Sequence, residues 1–409
     1  MFKQYRGLRR EVYILSFGRL VTGLGSMIWP MITLILSQKM GIGGQEISVL
    51  LAVAMIVMAP AIYLGGRIAD HRDKKMTIVC FDLISVVCFL ICSFIPMSWF
   101  LIFLLFIASL CQNMEHPVYS AFIADLSTTD ERDRAYSLSY MCVNLGLMLS
   151  PTIAGILFKN HLNIAFFING ISVLCSTVLI YFFIKDYEPE EETSHKAVYQ
   201  KAQKGVSFLQ VLRENPLLIM FIIIMSGNYA FYELGDMYLI PLDLAAIHGE
   251  NGALIYGTIT SVNCVVVVIF TPLITKLFGR WSEPYRIMAC VLLETGGYMF
   301  FVLFLGHIPF YYVFMMVFTW GEIFGAITLG PYMSKRVPSS HRGRIEGAMT
   351  FIETGFTSIM QLIAGFIYGA GGSHATWVLI IGGGLVTAVL TYILSIVDKN
   401  EYPNLYTAE

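Results

Sequence analysis

The sequence predicts an all-α integral membrane protein with twelve transmembrane helices in two pseudo-symmetric six-helix bundles. Three observations support this fold class: the composition, the long apolar segments and an internal repeat. Of the 409 residues, 56% are hydrophobic and only 13% are charged, whereas soluble domains are about 25% charged. So few charges cannot cover the surface of a soluble protein of this length, and the net charge of −2 favours neither a nucleic acid nor an acidic partner.

Twelve apolar segments are each long enough to cross a hydrocarbon layer about 30 Å thick, which takes about 20 helical residues. The predicted spans of the first half are 12–37, 46–66, 76–96, 98–124, 135–158 and 162–184. Those of the second half are 217–241, 252–275, 286–306, 309–333, 345–369 and 374–397. The first span is too long for a signal peptide and lacks a cleavage pattern.

One long polar segment, 185–216, separates the predicted bundles, which comprise residues 1–184 and 217–409. We interpret it as a cytoplasmic connector, and the chain after the last span as a short cytoplasmic tail. All 26 Lys and Arg residues except Arg19, Lys39 and Lys159 fall in the predicted inner segments. By the positive-inside rule, we expect a multi-pass protein of the cell membrane with both termini in the cytoplasm.

The two halves also share short sequence matches at one spacing. "LGSM" at 24–27 returns as "LGDM" at 234–237, an offset of 210 residues, and "AG" at 154–155 returns at 364–365. Matches at one offset in equivalent spans indicate an internal duplication. Paired six-helix repeats are typical of secondary transporters.

Charged residues and glycines are concentrated between spans two and three, in "GGRIADHRDKK" at 65–75. The residues that we predict to form a gating loop there are Gly66, Asp70, Arg72, Lys74 and Lys75. The basic residues would face the anionic inner leaflet. A charge cluster at this position can form in one state of a transporter and break in the other. The alternative is an anchor that only fixes the orientation of the chain.

Span five carries a row of small residues around a proline: Gly146, Ser150, Pro151 and Gly155. Small side chains let helices approach closely, and the proline removes a backbone donor and bends the helix. We therefore predict a helix-packing motif.

These two motifs resemble the major facilitator superfamily signatures G-x-x-x-D-[RK]-x-G-[RK]-[RK] and G-x-x-x-G-P-x-x-G-G. The second resembles the version found in drug–proton antiporters of that superfamily. The resemblance implies the major facilitator fold and transport by alternating access. One departure is that span four lacks the arginine which takes part in proton coupling in many such antiporters, and carries Gln112, Asn113, Glu115 and His116 instead. Coupling would then need a relay of carboxylates, or His116.

Acidic residues within the spans are the main candidates for a site, because a charge at mid-membrane costs at least about 2–3 kcal/mol. Asp82 and Glu294 lie within about two turns of the predicted cytoplasmic ends, and the expectation that they simply reach water there is the alternative to a role in the site. The candidates for proton coupling or substrate binding are Glu322, Glu115, Glu353, His116, Glu233, Asp236 and Arg19. Burial favours the protonated carboxyl, which permits proton exchange near neutral pH. Arg19 either pairs with a carboxylate or extends to the inner surface.

Four aromatic residues are predicted to lie at cavity depth: Trp29, Phe231, Tyr232 and Trp320. Phe231 and Tyr232 beside Glu233 could hold a flat or cationic ligand by stacking and charge. The alternative for each ring is packing within the bundle or contact with lipid.

The sequence therefore predicts a secondary active transporter, with proton-coupled efflux of amphipathic or cationic small molecules as the leading function. Alternatives are export of a lipid-linked compound or metabolite, nutrient symport, and a non-transporting sensor or scaffold. No nucleotide-binding or hydrolytic motif is present, so we expect no enzyme activity, cofactor or metal. The eight cysteines all lie in apolar segments. The expected partners are a small-molecule substrate, protons and the lipid bilayer, not nucleic acid, and we expect a monomer.

Overall fold

The computed structural model describes residues 5–71, 73–127, 132–184, 213, 215–279, 281–336 and 342–406. The backbone of these ranges is helical apart from short turns, and contains no strand. Nearly all of the predicted connector, 185–216, lies outside them, as does Arg72. The surroundings of Gly66 and the side chain of Asp70 are not described either, although both residues lie in a helix.

The helices are numbered along the chain. Those before the connector are α1 (Arg10–Gly25), α2 (Gly44–His71), α3 (Lys74–Phe94), α4 (Trp99–Asp125), α5 (Arg132–Leu147), α6 (Ser150–Phe158) and α7 (Leu162–Phe183). Those after it are α8 (Pro216–Glu233), α9 (Ile240–His248), α10 (Gly252–Phe278), α11 (Glu283–Leu303), α12 (Ile308–Arg336) and α13 (Arg342–Glu401).

Ten helical segments of the described chain are long and apolar enough to span a membrane. Two of them, Pro216–Phe278 with 63 residues and Met349–Glu401 with 53, are far longer than one crossing requires. The second contains Gly372, whose φ of 70° and ψ of −163° interrupt α13 between the predicted spans eleven and twelve. The structure thus supports a multi-pass membrane protein, and the count of twelve spans stays a prediction.

Predicted spans one and seven are not continuous α-helices. In span one, α1 ends at Gly25, and a 3-10 turn at Trp29–Met31 and a π-helix at Ile35–Lys39 follow. In span seven, a π-helix at Leu234–Leu239 separates α8 from α9. Both interruptions coincide with the repeated "LGSM" and "LGDM" sequences. Irregular backbone at membrane depth is typical of the binding regions of transporters.

The chain divides into two compact units, which mix segments from both sequence halves. Unit 1 comprises Met1–Ile42, Val57–Ser194 and Leu244–Val268. Its core contains fully buried apolar side chains from α1, α4 and α7, including Val12, Leu15, Phe122 and Ile180. Packing of these helices against α3 and α5 fixes which of their faces point inward.

Unit 2 comprises Gly43–Ile56, His195–Asp243 and Ile269–Glu409. Its core includes Phe221 of α8 and Tyr332 of α12, which are fully buried and stack with ring centroids 4.2 Å apart. Here α8 packs against α13, and α11 packs against α12 and α13.

A buried ion pair connects the ends of α12 and α13 in unit 2. Arg336 is 4% exposed and Asp398 is 0% exposed. The guanidinium donates from Nε to Asp398 Oδ1 at 2.7 Å and from Nη2 to Oδ2 at 2.6 Å. Tyr332 donates its hydroxyl to Oδ1 at 2.8 Å, and Tyr406 donates to Oδ2. We call these four residues the Asp398 cluster.

We expect cysteines introduced at Gly205 and at His161 to react with an impermeant maleimide from opposite sides of the membrane, Gly205 from the cytoplasm. Gly205 lies in the predicted connector, and His161 is exposed in the predicted outer loop between α6 and α7. Labelling is measured in intact cells and in everted vesicles, with the parent protein as the background for its eight native cysteines. Reaction of both positions from one side would contradict the predicted topology.

Candidate functional site

Two buried carboxyl groups lie beside each other in unit 1. Asp82 on α3 is 5% exposed, and Glu115 on α4 is 7% exposed. Their carboxyl groups are close enough to interact with each other. Thr177 on α7 donates its hydroxyl to Asp82 Oδ2 at 2.7 Å. Two neighbouring buried carboxylates would repel each other, and this arrangement therefore favours a proton on one of them.

The expectation that Asp82 and Glu294 reach water at the ends of their spans is wrong. They are 5% and 6% exposed, respectively. Each side chain points toward neighbouring helices, where a polar group from another helix meets it. Buried polar groups are stabilised by such partners, and both residues therefore join the candidate site.

Arg19 lies beside the carboxyl pair of unit 1. Its guanidinium carbon is 5.0 Å from the ring centroid of Tyr119, a cation–π contact. Its charge also interacts with those of Asp82 and Glu115. The position of Arg19 is consistent with pairing to a carboxylate, one of the two alternatives from the sequence, and that role stays a prediction. His116 lies one residue after Glu115 and has an exposed side chain, on which the Arg19 charge also acts.

A second buried carboxyl lies in unit 2, on α11. Glu294 accepts from Asn228 Nδ2 of α8 at 2.8 Å and from the Cys290 thiol at 3.4 Å. On α12, a Cβ at Gly321 would lie 2.9 Å from Glu294 Cγ, so only glycine fits against this side chain. The helix that approaches α12 closely at Gly321, next to Glu322, is therefore α11.

The predicted candidates Glu322, Glu233 and Asp236 come together in unit 2. Glu322 interacts electrostatically with Glu294 and with Asp236, and Asp236 also interacts with Glu233. Asp236 is 7% exposed and lies within the π-helix. The Tyr232 ring adjoins this group and stacks on Phe318 with centroids 5.2 Å apart.

The remaining predicted residues are more dispersed. Glu353 is half-buried on α13, where its charge interacts with Tyr229, and Tyr229 also interacts with Glu233. Phe231 packs against Gly383. The Trp320 ring lies 5.6 Å from that of Phe270, which is a packing contact. The Trp29 side chain is 45% exposed.

The carboxyl pairs of the two units occupy related positions in the sequence. Glu294 follows Asp82 by 212 residues, and Glu322 follows Glu115 by 207. Both separations differ from the 210-residue repeat by no more than three residues, which is less than one helical turn. Asn228 likewise follows Arg19 by 209 residues. The repeat thus places a carboxyl on the third and fourth spans of each half, and it could have indicated Asp82 and Glu294 as site residues.

The described part of the predicted gating loop makes contacts within unit 1. Lys74 forms an ion pair with Asp125 at the end of α4, with Nζ and Oδ2 2.7 Å apart. Lys75 donates to the carbonyl oxygen of Ile184 at 2.6 Å. Asp73 caps α3 by accepting from the Met76 backbone N–H at 3.3 Å. The roles of Gly66, Asp70 and Arg72 stay predictions.

The predicted packing motif of span five lies at a break between α5 and α6. Pro151 occupies the first turn of α6, where its missing N–H costs no hydrogen bond. Gly146 faces Gly23 of α1, so that a Cβ on it would lie 2.9 Å from the Gly23 Cα. Ser150 donates to the Ser26 carbonyl at 3.3 Å. At Gly155, a Cβ would lie 2.7 Å from the Leu254 Cα of α10.

We expect Gly146→Ala to lower the yield of folded protein several-fold, because the added methyl group overlaps the backbone of α1. Overpacking of this kind costs about 1–3 kcal/mol. The matched control is Gly296→Ala, because nothing lies within 4 Å of the Cβ position of that glycine. Size-exclusion profiles of detergent-solubilised protein give the measurement. Equal monodisperse yields for both variants would show that α1 and α5 can separate without loss.

Among the described residues, no group of three or more His, Cys, Asp or Glu side chains is arranged to hold a metal ion. The site consists instead of buried carboxyl groups on bundled, membrane-spanning helices. These features are typical of a multi-pass membrane transporter.

The chain belongs to the Major Facilitator Superfamily, whose family pattern matches residues 15–360. It is 22% identical over 341 residues to the Na(+), Li(+), K(+)/H(+) antiporter of Planococcus maritimus, covering 78% of this chain and 80% of that protein. It is 22% identical over 355 residues to the class H tetracycline resistance protein of Pasteurella multocida, covering 83% of each. The quinolone resistance protein NorA of Staphylococcus aureus (strain MSSA476) is 22% identical over 327 residues, which is 73% of this chain and 79% of NorA.

Solved structures share the fold at low sequence identity. The peptide transporter POT in complex with sulfate has a TM-score of 0.78, 13% identity and 95% coverage of both chains. A POT family transporter in complex with 5-aminolevulinic acid has a TM-score of 0.78, 14% identity and 96% coverage of both chains. At these identities the likeness extends to the fold alone.

Proposed function

We propose that this protein is a secondary active transporter that exports amphipathic or cationic small molecules in exchange for protons. The observation that carries the proposal is the buried Asp82–Glu115 pair, in which the repulsion between two neighbouring carboxylates favours a proton on one of them. Asp82 and Glu115 can release that proton only if the excess negative charge is compensated. Arg19 lies where it can compensate part of this charge.

The carboxyl groups of unit 2 support the cationic substrate class. Glu294 accepts from an amide and a thiol, and Glu233 lies beside the phenol of Tyr229. None of these three groups carries a positive charge that would neutralise an ionised carboxylate. A cation entering this region would therefore gain charge–charge attraction in a medium of low dielectric constant. The drug-resistance relatives are consistent with such substrates.

The proposal is tested in everted vesicles whose interior is acidified by respiration and reported by a quenched acridine dye. Adding ethidium or tetraphenylphosphonium should release protons and restore the fluorescence, in vesicles with the protein and not in those without it. Collapse of the pH gradient with nigericin should stop accumulation of the cation. Accumulation that persists after the collapse would contradict proton exchange.

A second candidate function is exchange of alkali cations for protons, which is favoured by the likeness to the Planococcus maritimus antiporter over 341 residues. The same vesicles distinguish the two functions. Recovery of fluorescence on addition of Na⁺, Li⁺ or K⁺, and not of organic cations, would favour the second.

A further inference from the structure

Helix α13 carries three polar side chains four residues apart: Glu353, Thr357 and Gln361. Residues at this spacing share one face of a helix. With a rise of 1.5 Å per residue, the first and the last are about 12 Å apart along the axis. We call these three residues the α13 ladder.

Two members of the α13 ladder have buried polar atoms that no other group satisfies. Thr357 and Gln361 are each 1% exposed. In the described part of the chain, Thr357 Oγ1 and Gln361 Nε2 have no hydrogen-bond partner. Leaving a buried polar group unpaired is costly, and such groups are few in native structures. Two of them, one turn apart on one face, indicate a place for a ligand with hydrogen-bonding atoms.

Contacts within unit 2 fix the surroundings of the α13 ladder. At one end, Ser48 of α2 donates its hydroxyl to the Gln361 carbonyl oxygen. One turn further along α13, Gly365 leaves space for the Ser48 side chain. At the other end, the Glu353 charge interacts with Tyr229. The ladder therefore runs from a carboxyl group near α8 to an amide near the start of α2.

We propose that the α13 ladder binds an elongated organic cation that also carries an uncharged hydrogen-bond acceptor, such as an ester carbonyl or an ether oxygen. Glu353 attracts the cationic group, and Gln361 Nε2 donates to the acceptor. Thr357, between them, offers a hydroxyl that can donate or accept. The proposal rests on the proposed function, because it assigns a substrate class to the same transporter.

The test compares two cationic probes that differ in hydrogen-bonding capacity. Rhodamine 6G carries an ester carbonyl and an ether oxygen, whereas tetraphenylphosphonium has no acceptor. Binding of each to purified full-length protein is measured for the parent, Gln361→Leu and Thr357→Val. We expect both variants to bind rhodamine 6G about 10-fold more weakly and tetraphenylphosphonium within about twofold of the parent, as loss of one hydrogen bond predicts.

Both variants should fold, because replacing an unpaired buried polar group by an apolar one is neutral or stabilising. The matched control is Ser358→Ala, one position away from Thr357. Ser358 is 2% exposed and already donates to the Thr354 carbonyl at 2.7 Å. Its variant should bind both probes as the parent does.

Unchanged rhodamine 6G binding by Gln361→Leu and Thr357→Val would overturn the proposal and assign the two unpaired atoms to bound water. Equal weakening of both probes would overturn it as well, because the effect would not depend on the acceptor. The proposed function fails separately, if the parent binds the probes but exchanges neither for protons in the vesicle assay. Exchange of both probes by the parent, with no selective loss in the variants, would leave the function intact and reject the ladder.

Discussion

Asp82→Asn is expected to lower proton-linked transport at least 10-fold while the protein still folds and reaches the membrane. Asparagine has nearly the same shape as aspartate and can still accept from Thr177, which donates to Asp82 Oδ2 at 2.7 Å. It cannot bind or release a proton, so the pair with Glu115 loses the group that exchanges it. The measurement is substrate-induced recovery of acridine fluorescence in everted vesicles at matched expression.

The control for this prediction is Asp243→Asn, which removes another buried aspartate. Asp243 is 4% exposed and accepts from Ser373 at 2.8 Å and from Trp377 Nε1 at 2.7 Å, so its contacts are distinct from the Asp82–Glu115 pair. We expect this variant to keep its proton coupling. If Asp82→Asn retains more than half of the parent's response, the pair does not lie on the proton path.

Glu115→Gln should have the same effect as Asp82→Asn, and the double variant should be little worse than either single one. Residues that act as a unit give strongly non-additive effects, and here the unit is one shared proton. Additive losses would instead indicate two separate proton sites.

Asp398→Ala is expected to lower the free energy of unfolding by about 3 kcal/mol, because it leaves the buried Arg336 charge with only the more distant carboxylate of Glu283, whose Oε2 lies 3.7 Å from Nη2. Arg336 is 4% exposed and donates two hydrogen bonds to Asp398. The variant also removes the acceptor of Tyr332 and Tyr406. Thermal unfolding of the detergent-solubilised protein, followed by intrinsic fluorescence, gives the measurement.

An exposed ion pair of the same chain provides the comparison. Nζ of Lys159 and Oε2 of Glu250 lie 2.5 Å apart, and the two side chains are 56% and 72% exposed. Glu250→Ala should therefore change stability little, because solvent screens an exposed ion pair. The double variant Arg336→Met with Asp398→Leu should recover most of the loss, since apolar replacement of a whole buried pair is often tolerated. Similar stabilities for Asp398→Ala and Glu250→Ala would show that the Asp398 cluster is not a stabilising element.

Much of the fold could be predicted from the sequence because membrane helices are marked by long apolar segments, which need no knowledge of tertiary packing. The 210-residue repeat also marked two of the places where the helices are interrupted, at Gly25 and at Leu234–Leu239. The break at Pro151 followed from its missing N–H. What the sequence left open there was whether the proline would bend span five or divide it into α5 and α6.

The partners within the site could not be predicted in the same way. Successive residues of a helix point about 100° apart, so a small error in rotation exchanges a buried carboxyl for an exposed one. Asp82 meets Glu115 and Thr177 only because α3 packs between α4 and α7 in unit 1. The Asn228–Glu294 hydrogen bond joins residues 66 positions apart. No local pattern contains that information.

The π-helix at Leu234–Leu239 has a consequence for the phase of the helix on either side of it. A π turn holds an additional residue compared with an α turn, so it rotates the following segment by about 100° without a break in the chain. Upstream, Asn228 is aligned with Glu294, and downstream, Asp243 of α9 is aligned with Trp377. Deletion of a single residue within 234–239 would return the segment to α-helical phase, and one of the two alignments would then be lost. The additional residue thus lets one continuous helical segment point Asn228 toward the binding region and Asp243 toward its structural partner, although the two directions differ.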